Sequence, residues 1–445
     1  MTLFKAYDIR GIVPSELGPA DARRIGRAVS GFFGGAPIAV GRDARTHSPA
    51  LRDALVLGLQ EVGSDVVDLG LVATPMLYFG VDRLGLGGGV MVTASHNPAE
   101  YNGFKVCGKN AVPVGEATGL RDIEKLAAAD PAPAARPGGL READVTPDYV
   151  EHLLRTFPAR PELHAVLDCG NGMAGVGLEG ILAKLPLQVE RLYFEPDGRF
   201  PNHPADPLHV ENLADVRREV LRTQAAFGVA FDGDGDRAIF VDEHAEPIAA
   251  DLVTGLLARE ILRTHPGAKV LYDLRSSRAT AEAIRSAGGV PEMCRVGHSF
   301  VKAQMRETGA VFAGELSGHF YFRFSDTLVA DDGSAAFLAL LGVLDRERKP
   351  LSELVAPLRR YATSGEISRR VGDPPALLAA IEAEHRGKAR ISHLDGLLVE
   401  YPDWWFNLRP SNTEPVLRLN LEAGDAAVME RERDRLVGRM EAARV

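Results

Sequence analysis

One hydrophobic pattern occurs three times along the chain. Apolar runs at Ile38 to Val40, Ala165 to Asp168 and Lys269 to Asp273 each break at a polar or glycine-containing turn before a stretch that can form a helix. Some tens of residues later comes a second apolar run, at Gly89 to Val92, Gly228 to Phe231 and Ala310 to Ala313, and each opens into a polar loop. Short apolar runs bounded by turn residues are the signature of strands buried on both faces, so the pattern predicts three related α/β units. A recurrence this long implies repeated domains and not a solenoid. The helix after the first run is the clearest: Ser48 suits the N-cap and Pro49 the first helical position. Leu51, Leu55, Gly58, Leu59 and Val62 trace one face, and Gly63 suits the stop. From about residue 358 the pattern changes to Leu397 to Val399, Trp404 to Phe406 and the alternating Val416 to Leu421. These predict antiparallel strands on a helical layer, followed by a charged helix from Ala426 to Ala443.

Composition adjusts this picture in a few places. The chain has 445 residues, enough for about three domains at the usual size, and the repeat plus the change near residue 358 raises that to four. The expected limits are 1–142, 143–246, 247–358 and 359–445, with the Ala/Pro/Gly-rich stretch Ala127 to Gly139 as the linker that closes the first unit. No apolar run approaches the roughly 20 residues that span a bilayer. Asp8 and Arg10 stand where a signal peptide would need apolar residues, so a cytoplasmic protein is expected, without membrane partners. Three cysteines far apart exclude a CxxC zinc site and make a disulfide framework unexpected. A net charge of −10 argues against nucleic acid.

The polar loops hold the candidate chemistry, because α/β domains carry function at strand ends. In Asp232-Gly233-Asp234-Gly235-Asp236-Arg237, carboxylates at alternate positions point to one side and the glycines let the backbone wrap closely, which suits a Mg²⁺-type cation. A calcium EF-hand would use the same three Asp and Glu243, but its sharp turn needs Gly where Arg237 stands, and both flanks read as strands. An acidic hairpin turn is the plain alternative. Ser95, in Thr93-Ala94-Ser95-His96-Asn97-Pro98, follows a buried strand, where it can receive N–H donors from a following helical turn and carry a phosphoryl group; it also fits an ordinary N-cap. Lys105 reads locally as a solvated lysine, with a positioned acid/base as the alternative. Glu315, Ser317 and His319 share one loop, a set that can hold sugar hydroxyls and move a proton. Arg409-Pro410-Ser411-Asn412-Thr413-Glu414-Pro415 combines a guanidinium with short polar side chains as a metal-free phosphate cradle, or is a plain hairpin loop.

Other features point elsewhere. Gly170-Asn171-Gly172-Met173-Ala174-Gly175 matches a dinucleotide fingerprint, but tight strand-to-helix turns use glycine anyway. There is no GxxxxGK[ST]. Trp404-Trp405 reads as core plus interface, and Glu430 to Arg435 as a solvated helix face.

Together with Tyr7-Asp8-Ile9-Arg10-Gly11, these loops resemble, in the same order and over essentially the whole chain, the motifs of the α-D-phosphohexomutase superfamily. The resemblance implies three related α/β domains with mixed sheets plus a fourth, smaller α+β domain around a central cleft. Glu315-Leu316-Ser317-Gly318-His319 and Ser411-Asn412-Thr413 are similar to the bacterial phosphomannomutase/phosphoglucomutase form. Leu316 departs from the usual Met, and Arg275 stands where that form often has Lys.

The implied reaction is reversible exchange of hexose 1-phosphate and hexose 6-phosphate, through a phosphoserine at Ser95 and a hexose 1,6-bisphosphate that turns over in the cleft. One Mg²⁺ would be held by Asp232, Asp234, Asp236 and the Ser95 phosphoryl group. Lys105 would be the general base, His319 a second acid/base group, and Arg237 and His96 would steady the phosphoryl group. Arg409, Ser411, Asn412 and Thr413 would anchor the substrate phosphate, Glu315 and Ser317 the sugar, and Tyr7, Arg10, Arg275 and His298 both substrate orientations. Arg10, Lys105, Arg237, Arg275 and Arg409 are then expected to face one basic cleft despite the acidic total. The partners implied are mannose and glucose phosphates, on a monomer or homodimer. Phosphoglucosamine mutase is the rival within the superfamily. A haloacid-dehalogenase-like phosphatase would use Asp232 as acceptor and Asp234 as acid, but wants Thr or Val where Asp236 stands. A non-enzymatic sugar-phosphate binder is the third reading.

Overall fold

The computed structural model describes residues 3–410 and 416–443. Its three N-terminal sheets share one strand plan. In the first, the parallel strands Val66–Leu71, Ile38–Arg42 and Gly88–Val92 lie side by side, and Tyr101–Gly108 is added antiparallel to the last. The second repeats this with Gln188–Leu192, His164–Asp168, Phe227–Phe231 and antiparallel Ala238–Asp242. The third repeats it with Val290–Cys294, Lys269–Asp273, Phe312–Gly314 and antiparallel Phe320–Arg323. The sheets are therefore mixed, and in each of these three units the polar loop singled out above connects the third strand to its antiparallel neighbour. That connection places Ser95, the Asp232–Asp236 run and Glu315 at the same point of three equivalent units.

The helix after Ile38–Arg42 spans Ser48–Glu61, with Leu51, Leu55, Gly58 and Leu59 buried on the predicted face. His47, not Ser48, is its N-cap residue. The Ser48 hydroxyl is buried, donating to the Asp43 carboxylate and accepting from Asn102 Nδ2, so it ties the turn to the sheet. The expected linker from Ala127 is only partly irregular: helix Leu120–Ala129 runs into it, and Leu140–Glu142 beyond it pairs with Val66–Leu71 as an edge strand.

The fourth sheet is antiparallel, ordered Ala362–Thr363, Val416–Ala423, Trp404–Pro410, Leu397–Glu400 and Arg390–Ser392, with Ile367–Arg370 also on Val416–Ala423. It carries the helices Pro374–His385 and Ala426–Ala442. One apolar core runs without interruption from the first unit through the third, from Ala39 to Leu358, whereas the fourth keeps its own core around Ile381, Phe406, Leu419 and Leu436. The fourth domain meets the third largely through polar contacts. The Arg278 guanidinium donates to the Pro402 carbonyl at 2.7 Å, and Glu422 accepts from both the Arg278 amide and Trp405 Nε1. Trp404 packs in the core, and Trp405 lines a cavity shared with Tyr272 of the third domain. Polar contacts of this kind leave room for relative domain movement. No helix among the described residues is long and apolar enough to cross a membrane.

Candidate active site

Ser95 is buried at the end of Gly88–Val92, with a φ of +50°. A serine in this left-handed conformation costs about 1 kcal/mol or more, so the surrounding contacts must hold it there. The expected helical turn beyond it is absent: the chain passes through tight turns straight into Tyr101–Gly108. Neither an N-cap role nor a cradle of helical N–H donors applies to Ser95. Its conformation is fixed from beneath by Arg45, whose fully buried guanidinium donates to the carbonyls of Ser95, Asn97, Pro98 and Tyr101 at 2.6 to 3.0 Å. Nothing in the local sequence marks Arg45, because a side chain that grips a distant loop leaves no local periodicity. Arg45→Met is expected to strand these acceptors and lower stability by about 3 kcal/mol or more in urea melts. Arg45→Lys, which keeps the charge but not the fork, should recover only part of it.

The hydroxyl of Ser95 donates to Asp232 Oδ2 at 3.0 Å and lies 3.2 Å from His96 Nδ1. Burial, followed by the charges of Arg237, Arg10 and Lys105, keeps His96 neutral well below the usual range. The loop bearing the Asp residues can come this close because Gly233 has no side chain: a Cβ there would lie 2.4 Å from the Ser95 carbonyl oxygen. Gly172 in turn packs on Gly233, where a Cβ would come within 2.9 Å of its Cα. The dinucleotide-like glycines therefore serve loop packing. Both flanks of the Asp run are strands of one hairpin, and Glu243 bonds Ser352 away from the site, which removes the EF-hand alternative.

Asp232, Asp234 and Asp236 are all buried and offer oxygens within 4.8 Å of one another. Thr74 Oγ1 donates to Asp234 Oδ2 at 2.6 Å. Lys105 is not the solvated lysine its local sequence indicates. It is buried, and its Nζ donates to Asp234 Oδ2 and Asp236 Oδ2 at 2.6 Å each. Burial opposes its charge, but Asp234 and Asp236 outweigh it and hold the ammonium well above its ordinary range. Burial and repulsion from Asp236 and Asp234 push the Asp232 carboxyl up. Asp236 is held well down despite burial, by Lys105 and His319. Among the described residues, Oδ1 of Asp234 and Oδ1 of Asp236 are buried without a hydrogen-bond partner, the latter 3.4 Å from His319 Nε2. Buried carboxylate oxygens left over in this way, on a converging hard-oxygen set, fit a divalent cation.

The remaining loops meet this centre. Arg237 and His319 form a backbone bridge, and Arg237 Nε lies 3.3 Å from His319 Nε2 and 3.6 Å from Asp232 Oδ2. His319 Nδ1 pairs with Ser317 Oγ at 2.9 Å. Glu315 is buried, accepting from the Gly297 amide at 2.7 Å and from the Tyr321 hydroxyl. Asp273 accepts from Arg275 Nη2 at 2.6 Å and from the backbone amide of Leu316 at 2.9 Å, so one carboxylate ties Arg275 to the loop that bears Glu315 and Ser317. Arg10 donates to Asn97 Oδ1 and to Asp8. Tyr7 packs edge-on against His298 at 5.9 Å between ring centres.

A cavity of about 620 Å³ is lined by Tyr7, His96, Arg237, Arg275, His298, Glu315, Ser317, His319 and Arg409. Residues not singled out from the sequence share it, namely Asp206, His209, Glu366 and Arg418. Ser411, Asn412 and Thr413 lie outside the described residues.

Comparisons with known proteins agree along the whole chain. Family models match in order: phosphoglucomutase/phosphomannomutase alpha/beta/alpha domain I at residues 1–132, domain II at 147–245, domain III at 249–361 and the C-terminal domain at 366–439. A phosphomannomutase of Escherichia coli is 42% identical over 445 residues, covering 96% of this chain and 97% of that protein. A protein of Xanthomonas campestris pv. campestris named for phosphohexose mutases is 42% identical, covering 97% of each. The crystal structure of a phosphoglucomutase/phosphomannomutase family protein from Burkholderia thailandensis superimposes with a TM-score of 0.91 at 36% identity, covering 100% of this chain and 98% of that one. With matches to every domain model and relatives of this identity over nearly the full length, the chain belongs to the phosphoglucomutase/phosphomannomutase family of phosphohexomutases.

Proposed function

We propose that this chain interconverts hexose 1-phosphates and hexose 6-phosphates, with mannose and glucose as the sugars, by way of a phosphoryl group on Ser95. The observation that carries this is the Ser95 hydroxyl 3.0 Å from Asp232, on a buried three-carboxylate set with spare oxygens, beside a cavity lined with arginines. Asp232, Asp234 and Asp236 would hold one Mg²⁺ beside the Ser95 oxygen. When bound, that ion would draw charge from the phosphoryl oxygens and offset repulsion among the carboxylates.

The other parts follow from position. His96 Nδ1 lies 3.2 Å from the Ser95 hydroxyl and Arg237 Nε lies 3.6 Å from Asp232, so both would steady the phosphoryl oxygens. The resemblance makes Lys105 the general base. His319, which lines the cavity beside Ser317, would be the second acid/base group. Glu315 and Ser317 orient sugar hydroxyls, and Arg409 with Ser411, Asn412 and Thr413 anchors the distal phosphate. Tyr7, Arg10, Arg275 and His298 receive the sugar phosphate in both orientations, as a hexose 1,6-bisphosphate reverses between transfers. Domain limits at 1–142, 143–246, 247–358 and 359–445, a monomer or homodimer, and a cytoplasmic location complete the proposal.

A panel of mannose, glucose and glucosamine 1-phosphates, each primed with a trace of hexose 1,6-bisphosphate, tests the sugar class. Mannose and glucose should be turned over at least about ten-fold more efficiently than glucosamine. A preference for glucosamine 1-phosphate would make the chain a phosphoglucosamine mutase.

A further inference from the structure

The second domain brings more than Arg237 to the cleft. Its loop from Pro204 to His209 carries Asp206, Leu208 and His209 into the lining of the cavity that Glu315, Ser317 and Arg409 share. The loop is held firmly. The Ala205 carbonyl accepts from the Gly233 amide at 3.2 Å, and Gly233 is the glycine that packs against the Ser95 carbonyl. Asp206 Oδ1 accepts from the Leu208 amide at 3.2 Å, and the Asp206 carbonyl from Asn212 Nδ2 at 2.8 Å. Pro207 is buried and its ring fixes φ. His209 is thereby kept in register with the reacting centre.

The side chains of this wall suit an uncharged polar ligand. His209 Nε2 lies 3.7 Å from Asp206 Oδ2, too far for a hydrogen bond but close enough for one hydroxyl oxygen to bridge both at about 2.8 Å. The His209 side chain is 71% exposed and so open to a ligand. Leu208, between them in sequence, is a large apolar residue left 43% exposed on the wall of a polar cleft. A carboxylate repels a phosphate dianion and an apolar side chain gives it no donor, so this wall does not suit the group that the arginines take. It does suit a hexose ring, whose hydroxyls both donate and accept and whose C–H edges can rest on apolar surface.

We propose that Asp206 and His209 form a second hydroxyl-binding pair for the sugar, with Leu208 as the apolar rest for its ring. This rests on the phosphohexomutase reading of the cleft and adds residues outside the loops that carry the resemblance. Glu315 and Ser317 belong to the third domain, so a ring that reverses between transfers presents its hydroxyls to two walls. The pair on the second domain keeps hold of the bisphosphate when the first wall lets go, and reads the sugar at a second position.

The test compares the native chain with His209→Ala and Asp206→Asn on glucose 1-phosphate and on those of its monodeoxy forms that keep the acceptor hydroxyl, primed with hexose 1,6-bisphosphate. In both variants kcat/KM for glucose 1-phosphate should fall about five-fold or more. In the native chain, removing the hydroxyl that the pair holds should cost about as much. In His209→Ala that one penalty should nearly vanish while those for the other deoxy sugars persist. Inorganic phosphate should inhibit the variants as strongly as the native chain, because the pair does not touch phosphate. Should Asp206→Asn fail to fold, His209→Ala carries the test, since it removes an exposed side chain. A loop with only a structural role would lower the melting temperature and weaken every sugar alike, which would overturn the proposal. So would deoxy penalties that are the same in His209→Ala and the native chain, or inhibition by phosphate that weakens about five-fold; native turnover of glucose 1-phosphate would then leave the phosphohexomutase reading standing. A native chain that turns over no hexose 1-phosphate would end that reading and this inference with it.

Discussion

Replacing Ser95 with alanine is expected to reduce turnover by at least about 10³-fold while leaving the chain folded and able to bind hexose phosphate. The substitution removes one oxygen, the one 3.0 Å from Asp232, and leaves Arg45's grip on the loop carbonyls in place. Alanine meets about the same backbone cost at a φ of +50° as serine, so the change in stability should stay small. Steady-state turnover with saturating hexose 1,6-bisphosphate measures the loss, and calorimetry with glucose 1-phosphate shows that the cleft still binds. Full turnover in the alanine variant would mean that the phosphoryl group never resides on this residue.

The second large effect concerns the carboxylates. Three buried Asp side chains within 4.8 Å repel one another, and Lys105 offsets only part of that charge. Chelation is therefore expected to lower activity by about 10²-fold or more, with recovery on adding Mg²⁺. Asp234→Asn should show a loss of the same order that added Mg²⁺ does not restore. Melting temperature gives a readout independent of activity: the native chain should be stabilised by Mg²⁺ through linkage, and Asp234→Asn should not respond. An Asp234→Asn chain that melts higher in Mg²⁺, as the native chain does, would show that the cation sits elsewhere. Removing one of three crowded carboxylates could itself raise the metal-free melting temperature, which is why the Mg²⁺-dependent shift is the quantity compared.

How much of this was legible in the sequence differs from residue to residue. The strands were readable because a strand buried on both faces is a short apolar run with turn residues at its ends, as in Lys269–Asp273, observed as expected. The Asp run was readable because its three carboxylates are close along the chain, but the segment is not extended: it is a tight turn in which Gly235 has a φ of +78° and the Gly235 and Arg237 amides donate back to Asp232. Lys105 was misread for the opposite reason. Its burial depends on Asp234 and Asp236, more than a hundred residues away, and an alternating strand shows only that the side chain faces one side of the sheet. Ser95 was expected at the start of a helix because Asn97-Pro98 resembles a cap, whereas antiparallel pairing of Tyr101–Gly108 with Gly88–Val92 forces a hairpin there. Arg45 and Thr74 act on loops far along the chain, and no spacing rule could have flagged them. The fourth domain's separate core was foreshadowed by the pattern change near residue 358, but its polar seam with Arg278 and Glu422 was not.

The most direct test of a phosphoserine mechanism is to find the phosphoryl group. The chain should be incubated with hexose 1,6-bisphosphate, quenched in acid and digested, and its phosphorylated peptide identified by mass spectrometry. An acid-stable phosphoryl group on the peptide containing Ser95, transferable to glucose 6-phosphate before the quench, is the predicted result. An acid-labile acyl phosphate on Asp232, or full mutase activity with no phosphoryl group on Ser95, would contradict it.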